Sequence, residues 1–263
     1  MTGETENRMP WDPTLYSAFA QPRLRPALDL LSRVDAEHPH TVADLGCGTG
    51  NVTRILADRW HDASVWGVDS SPEMLNAAAL PPSRIRWVQA DVAQWVPERP
   101  VDVLFSNAVL QWLDNHDTLL PHLFAQLAPR GVLAIQMPHN HYAASHAVMA
   151  DTVEAGPWAA RLRPLIRRFP VHDPDFYYDV LGPLAASLDI WETEYLHVLE
   201  GDNPVVKWTM GTSLRPLLDA LDEPERSEFL SEYSRRVADA YPAHADGRTL
   251  FPFRRLFLVA KAR

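Results

Sequence analysis

Apolar and polar positions follow two regimes along this chain. In the first half, short apolar runs at residues 41–45, 64–68, 85–89, 101–106 and 131–137 read as strands. Between them, residues 52–60, 71–79 and 118–127 carry helical spacing, with Asn51 and Ser70 placed as N-caps and Pro72 near a first turn. Strands alternating with helices predict an α/β fold with a parallel sheet and crossover helices. The second half changes character. Residues 145–169 look helical with a break at Gly156-Pro157, and 174–188 continue the helical pattern. Residues 191–199 alternate like a strand, 204–221 and 223–240 are helical, and 249–260 form a last strand with Pro252 at its start or edge. The helices around the sixth strand are expected to form a lid over the sheet's C-terminal edge, where open α/β sheets bind ligands.

The sharpest local signal is Val42-Ala43-Asp44-Leu45-Gly46-Cys47-Gly48-Thr49-Gly50-Asn51. An apolar strand runs into three glycines and then a helix, so the backbone turns sharply and leaves bare peptide against which a ligand fits. The order is G-x-G-x-G, not the dinucleotide G-x-G-x-x-G, because residue 51 is Asn. A tight turn with no ligand is the plain alternative. Asp69 ends the second strand, where a carboxylate grips a ribose diol or caps the helix at Ser71-Pro72. Asp91 follows the third strand, and a surface turn is its alternative role. Asn107, Gln111 and Trp112 follow the fourth, with core packing open for Trp112.

Composition narrows the class. The chain has 263 residues, 46% hydrophobic and 22% charged, which suits one large globular domain or a domain with insertions. A net charge of -10 argues weakly against a nucleic-acid substrate. One cysteine, Cys47, allows no internal disulfide and suits a reducing cytoplasm. No apolar run reaches the roughly 18 residues that span a bilayer, and the polar N-terminus carries no signal-peptide pattern. No histidine spacing predicts a metal site. The amino-methylase tetrapeptide Asn/Asp-Pro-Pro-Tyr is absent after the fourth strand.

The glycine loop with Asp44 resembles motif I of class I S-adenosylmethionine (SAM) methyltransferases. More specific segments resemble the trans-aconitate 2-methyltransferases: Trp11-Asp12-Pro13 with Tyr16 and Phe19, Arg23 and Pro26; Ser106-Asn107-Ala108 with Leu110-Gln111-Trp112; Gln136-Met137-Pro138 with Asn140; Ser145-His146; Gly211-Thr212 with Leu214-Arg215-Pro216; and Asp246-Gly247-Arg248 through Arg254-Arg255-Leu256-Phe257. Two positions depart from that pattern: His139 stands where an Asp is expected, and Ala144 where a Pro is expected.

The resemblance implies a seven-stranded Rossmann-like sheet, SAM as cofactor and methyl esterification of a small tricarboxylate. It divides the chain into an N-terminal helical segment (1–40) closing over the cofactor, a SAM-binding core (41–140), lid helices (141–190) and the last two strands (191–263) with a helical insertion at about 201–247. Expected cofactor residues are Asp44, Gly46, Gly48, Gly50, Asp69, Ser70, Met74, Asp91 with Val92, Asn107, Trp11 and Tyr16. Asp91 would accept from the adenine amino group.

A carboxylate acceptor is already ionised at neutral pH and needs no general base, so no catalytic acid or base is expected. A polyanion needs fixed cations, and the arginine fork suits carboxylate. The substrate candidates are Arg215, Arg254 and Arg255, backed by Arg23 and Lys207, together with Gln111, Trp112, His146 and Trp208. Strand alternation sends Arg254 and Arg255 to opposite faces, so at most one faces the pocket. The expected partner is a small carboxylic acid, with no nucleic acid and no membrane, and the protein a cytoplasmic monomer or homodimer. Methylation of another small metabolite or carrier-bound acid, and a SAM-binding role without turnover, are the alternative functions.

Overall fold

The computed structural model describes residues 20–166 and 170–263. Trp11, Tyr16 and the side chain of Arg23 lie outside the described residues. The elements in chain order are α1 (Ala20–Ser32), β1 (Thr41–Leu45), α2 (Asn51–Arg59), β2 (Ser64–Asp69), α3 (Pro72–Ala78), β3 (Arg86–Gln89), β4 (Val101–Asn107), α4 (His116–Phe124), β5 (Leu127–Pro138), α5 (Ala144–Ala155), α6 (Ala159–Leu162), α7 (Pro174–Leu181), β6 (Ser187–Leu199), α8 (Pro204–Met210), α9 (Arg215–Asp219), α10 (Glu225–Ala240) and β7 (Thr249–Lys261). Short 3₁₀ turns occupy Leu110–Trp112 and Arg163–Leu165.

The seven strands form one sheet in the order β3-β2-β1-β4-β5-β7-β6. The first five are parallel, and β7 runs antiparallel to β5. The order reverses direction at β1, so β1 and its neighbour β4 flank the switch point where such sheets bind ligands.

The chain divides into two compact units. The sheet unit holds residues 23–139, 169–194 and 254–263. One face of its sheet is a continuous apolar core of Leu104, Leu133, Ile135, Leu256 and Leu258, covered by Leu119, Leu120 and Leu123 of α4 and by Tyr177 and Leu181 of α7. Burying Tyr177 demands a partner for its hydroxyl. His116 Nδ1 supplies one at 2.8 Å, while its Nε2 bonds the Leu110 carbonyl at 2.9 Å. Burial holds the His116 pKa below its ordinary value.

The helical unit is built from 140–168 and 195–253. Helices α5 and α10 pack together around Met149, Val153, Phe229, Tyr233 and Val237, with Trp158 edge-on to Phe229 at 5.3 Å.

Several boundaries differ from the sequence reading. Gly50, at φ +78°, precedes the first residue of α2, so Asn51 is not its cap. Ser71, not Ser70, caps α3, accepting from the Met74 N–H at 3.2 Å. Helix α4 runs from His116 to Phe124, because Leu127 already belongs to β5. Helix α7 stops at Leu181, where Gly182-Pro183 breaks the pattern, and β6 starts at Ser187.

Candidate functional site

In the sheet unit, the loop from β1 into α2 carries the glycines. Gly46, Gly48 and Gly50 all adopt positive φ. Two of them are needed for different reasons. A Cβ at Gly46 would lie 2.3 Å from Val109 Cγ2, so the loop packs there against the segment after β4. A Cβ at Gly48 would meet nothing within 4 Å. Bare backbone facing open space is what a ligand lying along the peptide requires.

Asp69 ties this loop to β2. Its Oδ2 accepts from the Gly48 N–H at 2.8 Å and its Oδ1 from the Ser71 N–H at 2.9 Å. The helix-start role and the loop-holding role therefore coexist. Each oxygen keeps a further lone pair for a hydroxyl. Asp44 lies behind, 2% exposed, and accepts from Thr53 Oγ1 at 2.6 Å. Burial, reinforced by the nearby Asp69 charge, pushes its carboxyl up to about 7.

Met74 is half-buried on α3, while the Ser70 carbonyl accepts from Gln89 Nε2 at 3.5 Å. Asp91 is exposed and closes a turn onto the Ala93 N–H at 2.9 Å, and Val92 beside it sits in the core.

After β4 the backbone tightens. Ala108 takes φ +58°, a conformation that costs a non-glycine residue about 1–2 kcal/mol. Its N–H donates to the Gln136 carbonyl, and its own carbonyl accepts from Gln111 Nε2 at 2.8 Å. Gln111 is buried, and Trp112 is 38% exposed. The Asn107 and Gln111 side-chain oxygens are buried without a hydrogen-bond partner among the described residues.

Strand register decides between the two adjacent arginines. Asp44 pairs with Phe105, Asn107 with Gln136, Gln136 with Phe257, and Pro138 with Arg255. Paired residues share a face, so Asp44, Asn107, Gln136 and Arg255 project to one side of the sheet. Arg255 is 5% exposed, and its Nη1 donates to Gln136 Oε1 at 3.3 Å. Arg254 is exposed on the opposite face. His139 is buried beside two carboxylates, with Nδ1 2.5 Å from Glu192 Oε1 and Nε2 3.6 Å from Asp173 Oδ1. Two carboxylates beside the ring make this an unfavourable place for an anion.

In the helical unit, Arg215 begins α9 and lies 3.6 Å from Asp219 Oδ2 with a third of its side chain exposed. Lys207 is exposed on α8. His146 is in the first turn of α5, and burial holds its pKa below the ordinary value, with His141 adding to the effect. Trp208 lies within the helical core. It is 3% exposed in the core, stacked on His197 at 4.7 Å with Phe251 edge-on.

Gln136, buried against Arg255, is not among the candidate residues expected from the sequence. Its signal was a lone polar side chain within the apolar run 132–137.

A switch-point glycine loop, an acid at the end of β2 and a β7 inserted antiparallel beside β5 define a class I methyltransferase domain. Residues 42–131 match the family model described as "Methyltransferase domain". The solved SAM-dependent methyltransferase from Thiobacillus denitrificans, in complex with S-adenosyl-L-homocysteine, shares the fold with a TM-score of 0.52 and 18% identity, over 97% of this chain and 100% of that one. The chain belongs to the trans-aconitate 2-methyltransferase family. It is 49% identical to the trans-aconitate 2-methyltransferase of Azoarcus sp. (strain BH72), over 95% of this chain and 98% of that protein. The corresponding protein of Methylobacterium radiotolerans is 46% identical over 95% and 98%. Among the described residues, no helix is long and apolar enough to cross a membrane, and no cluster of metal-ligating side chains occurs.

Proposed function

We propose that this chain transfers a methyl group from SAM to a carboxylate of trans-aconitate, releasing the monomethyl ester and S-adenosyl-L-homocysteine. One observation carries the reading: the 49% identity to a trans-aconitate 2-methyltransferase extends over 95% of the chain, through both units and not the generic glycine loop alone. The residues present suit the cofactor. Open space at Gly48 admits a ligand against the loop, and Asp69 offers lone pairs for ribose hydroxyls. Asp44, Gly46 and Gly50 shape that loop. Ser70, Met74, Asp91 and Val92 border the adenosine end, and Asn107 the methionine end. Trp11 and Tyr16 are proposed to close over it.

When bound, SAM supplies an electrophilic sulfonium methyl. The acceptor carboxylate is ionised at neutral pH, so the protein has no proton to remove. Its work is to hold one oxygen in line with the methyl and to exclude water. Arg255 suits the first task, since a buried guanidinium binds carboxylate far more strongly than a hydrated one. Arg215 is the candidate from the helical unit, with Gln111, Trp112 and His146 as further acceptor contacts. Arg254, exposed on the other face, is the weaker of the adjacent pair, and the buried Trp208 acts by packing. We further propose that the protein works on free small acids, without nucleic acid or membrane, as a cytoplasmic monomer or homodimer, and that the helical segments carry acceptor specificity.

The test is S-adenosyl-L-homocysteine formation with trans-aconitate, cis-aconitate, citrate, isocitrate and simple monocarboxylates. Preferred turnover of trans-aconitate, giving a base-labile methyl ester, is the expected result. SAM binding without turnover of any acid would overturn the reading.

A further inference from the structure

Gln136 is fully buried in the middle of the sheet, next to the end of β4. Its amide is oriented by a neighbour. Oε1 accepts from Arg255 Nη1 at 3.3 Å, and the reverse orientation would set two donors against each other. The nitrogen is therefore turned away from Arg255, and Nε2 is buried with no hydrogen-bond partner among the described residues. A buried amide nitrogen without an acceptor is costly, and such groups are rare enough to require a cause. Asn107, the register partner of Gln136 on β4, adds a second unmet polar atom, Oδ1, on the same face. Two unmet polar atoms, side by side at the switch-point edge and adjoining a buried guanidinium, form a cradle in which one donor awaits an oxygen.

We propose that Gln136 is a specificity-determining residue: its Nε2 donates to a carboxylate oxygen of the acceptor, beside the Arg255 guanidinium, and selects an ionised carboxylate over the corresponding amide. The inference rests on reading the chain as a carboxylate methyltransferase. A carboxylate offers only acceptors to Gln136 and Arg255, whereas a carboxamide turns a donor toward one of them. That mismatch leaves buried donors unpaired, which is how hydrogen-bonding sites reject near-isosteres. Gln136 also fixes the guanidinium, so its loss affects acceptor binding twice.

The test uses the full chain and two variants, Gln136→Met, which keeps the side-chain length without its polar atoms, and Gln136→Asn, which keeps the amide but withdraws it by one methylene. Steady-state kinetics with trans-aconitate are read beside SAM affinity by calorimetry. In Gln136→Met the acceptor KM should rise about tenfold or more, the factor for one lost charge-assisted hydrogen bond. SAM affinity should stay within about twofold. Gln136→Asn should fall between the two proteins, and it decides the matter if Gln136→Met does not fold. An unchanged acceptor KM would overturn the proposal. So would a loss confined to SAM affinity, which would give the donor to the cofactor. A wild-type protein that turns over no small acid would instead remove the underlying reading, and the proposal with it.

Discussion

Replacing Asp44 by Asn isolates the electrostatics of the glycine loop. Asp44 is 2% exposed, and burial is the main cause that lifts its carboxyl from an ordinary 3.8 to about 7. Between those values the folded protein holds a proton that the unfolded chain has released. Stability therefore falls as pH rises, by about 1.4 kcal/mol per unit, and the loss is complete above the folded value. The separation of roughly three units sets a ceiling of about 4 kcal/mol. Asn at this position carries no charge and still accepts from Thr53 Oγ1, which now bonds Asp44 at 2.6 Å. The stability of Asp44→Asn relative to wild type should then climb from about pH 4 to about pH 7 and level off beyond. Urea unfolding of both proteins across that range measures the difference directly and cancels the titration of every group that does not interact with Asp44. A difference that is flat with pH, or that shrinks as pH rises, would refute the account of Asp44 as a proton held by burial.

The glycines should separate by their surroundings. Gly48→Ala faces open space and should cost about 1–2 kcal/mol of backbone strain while weakening SAM binding about tenfold or more, as calorimetry would show. Gly46→Ala drives a methyl into Val109, and thermal melts should show a loss of about 2 kcal/mol or more. His139→Asp places a third carboxylate beside Glu192 and Asp173; melts near neutral pH should show a loss of about 1–3 kcal/mol that shrinks on acidification. Arg215→Ala should raise the acceptor KM about tenfold and leave SAM affinity unchanged, and equal kinetics for the acceptor would remove Arg215 from the site.

The sheet was legible because its signals are local. Apolar runs punctuated by glycine or polar turns mark β1 through β5 within a few residues, and β5 exceeds its reading because Leu127–Arg130 enter the ladder past an irregular pairing at Val101/Val103. The glycine loop was legible because positive φ restricts residue choice. Cap assignment failed at Ser70 because two adjacent serines satisfy the same preference, and only the backbone bond to Met74 separates them. The stacking of Trp208 on His197 was not legible, because an aromatic residue in a helical segment reads the same whether its ring meets solvent, ligand or another ring. Gln136 and Arg255 lie 119 positions apart, and only the β5–β7 register brings them together.

The boundary between the two units falls inside β6, between Glu194 and Tyr195, and inside β7, between Phe253 and Arg254. These strands are neighbours in the sheet, so the segment 195–253 leaves and re-enters through adjacent strands. The excursion is not self-contained, because α10 within it packs against α5, which belongs to the separate segment 140–168 after β5. A chimera that exchanges this unit therefore has to carry both segments, 140–168 and 195–253, since either one alone would strip Met149 and Val153 from Phe229 and Tyr233.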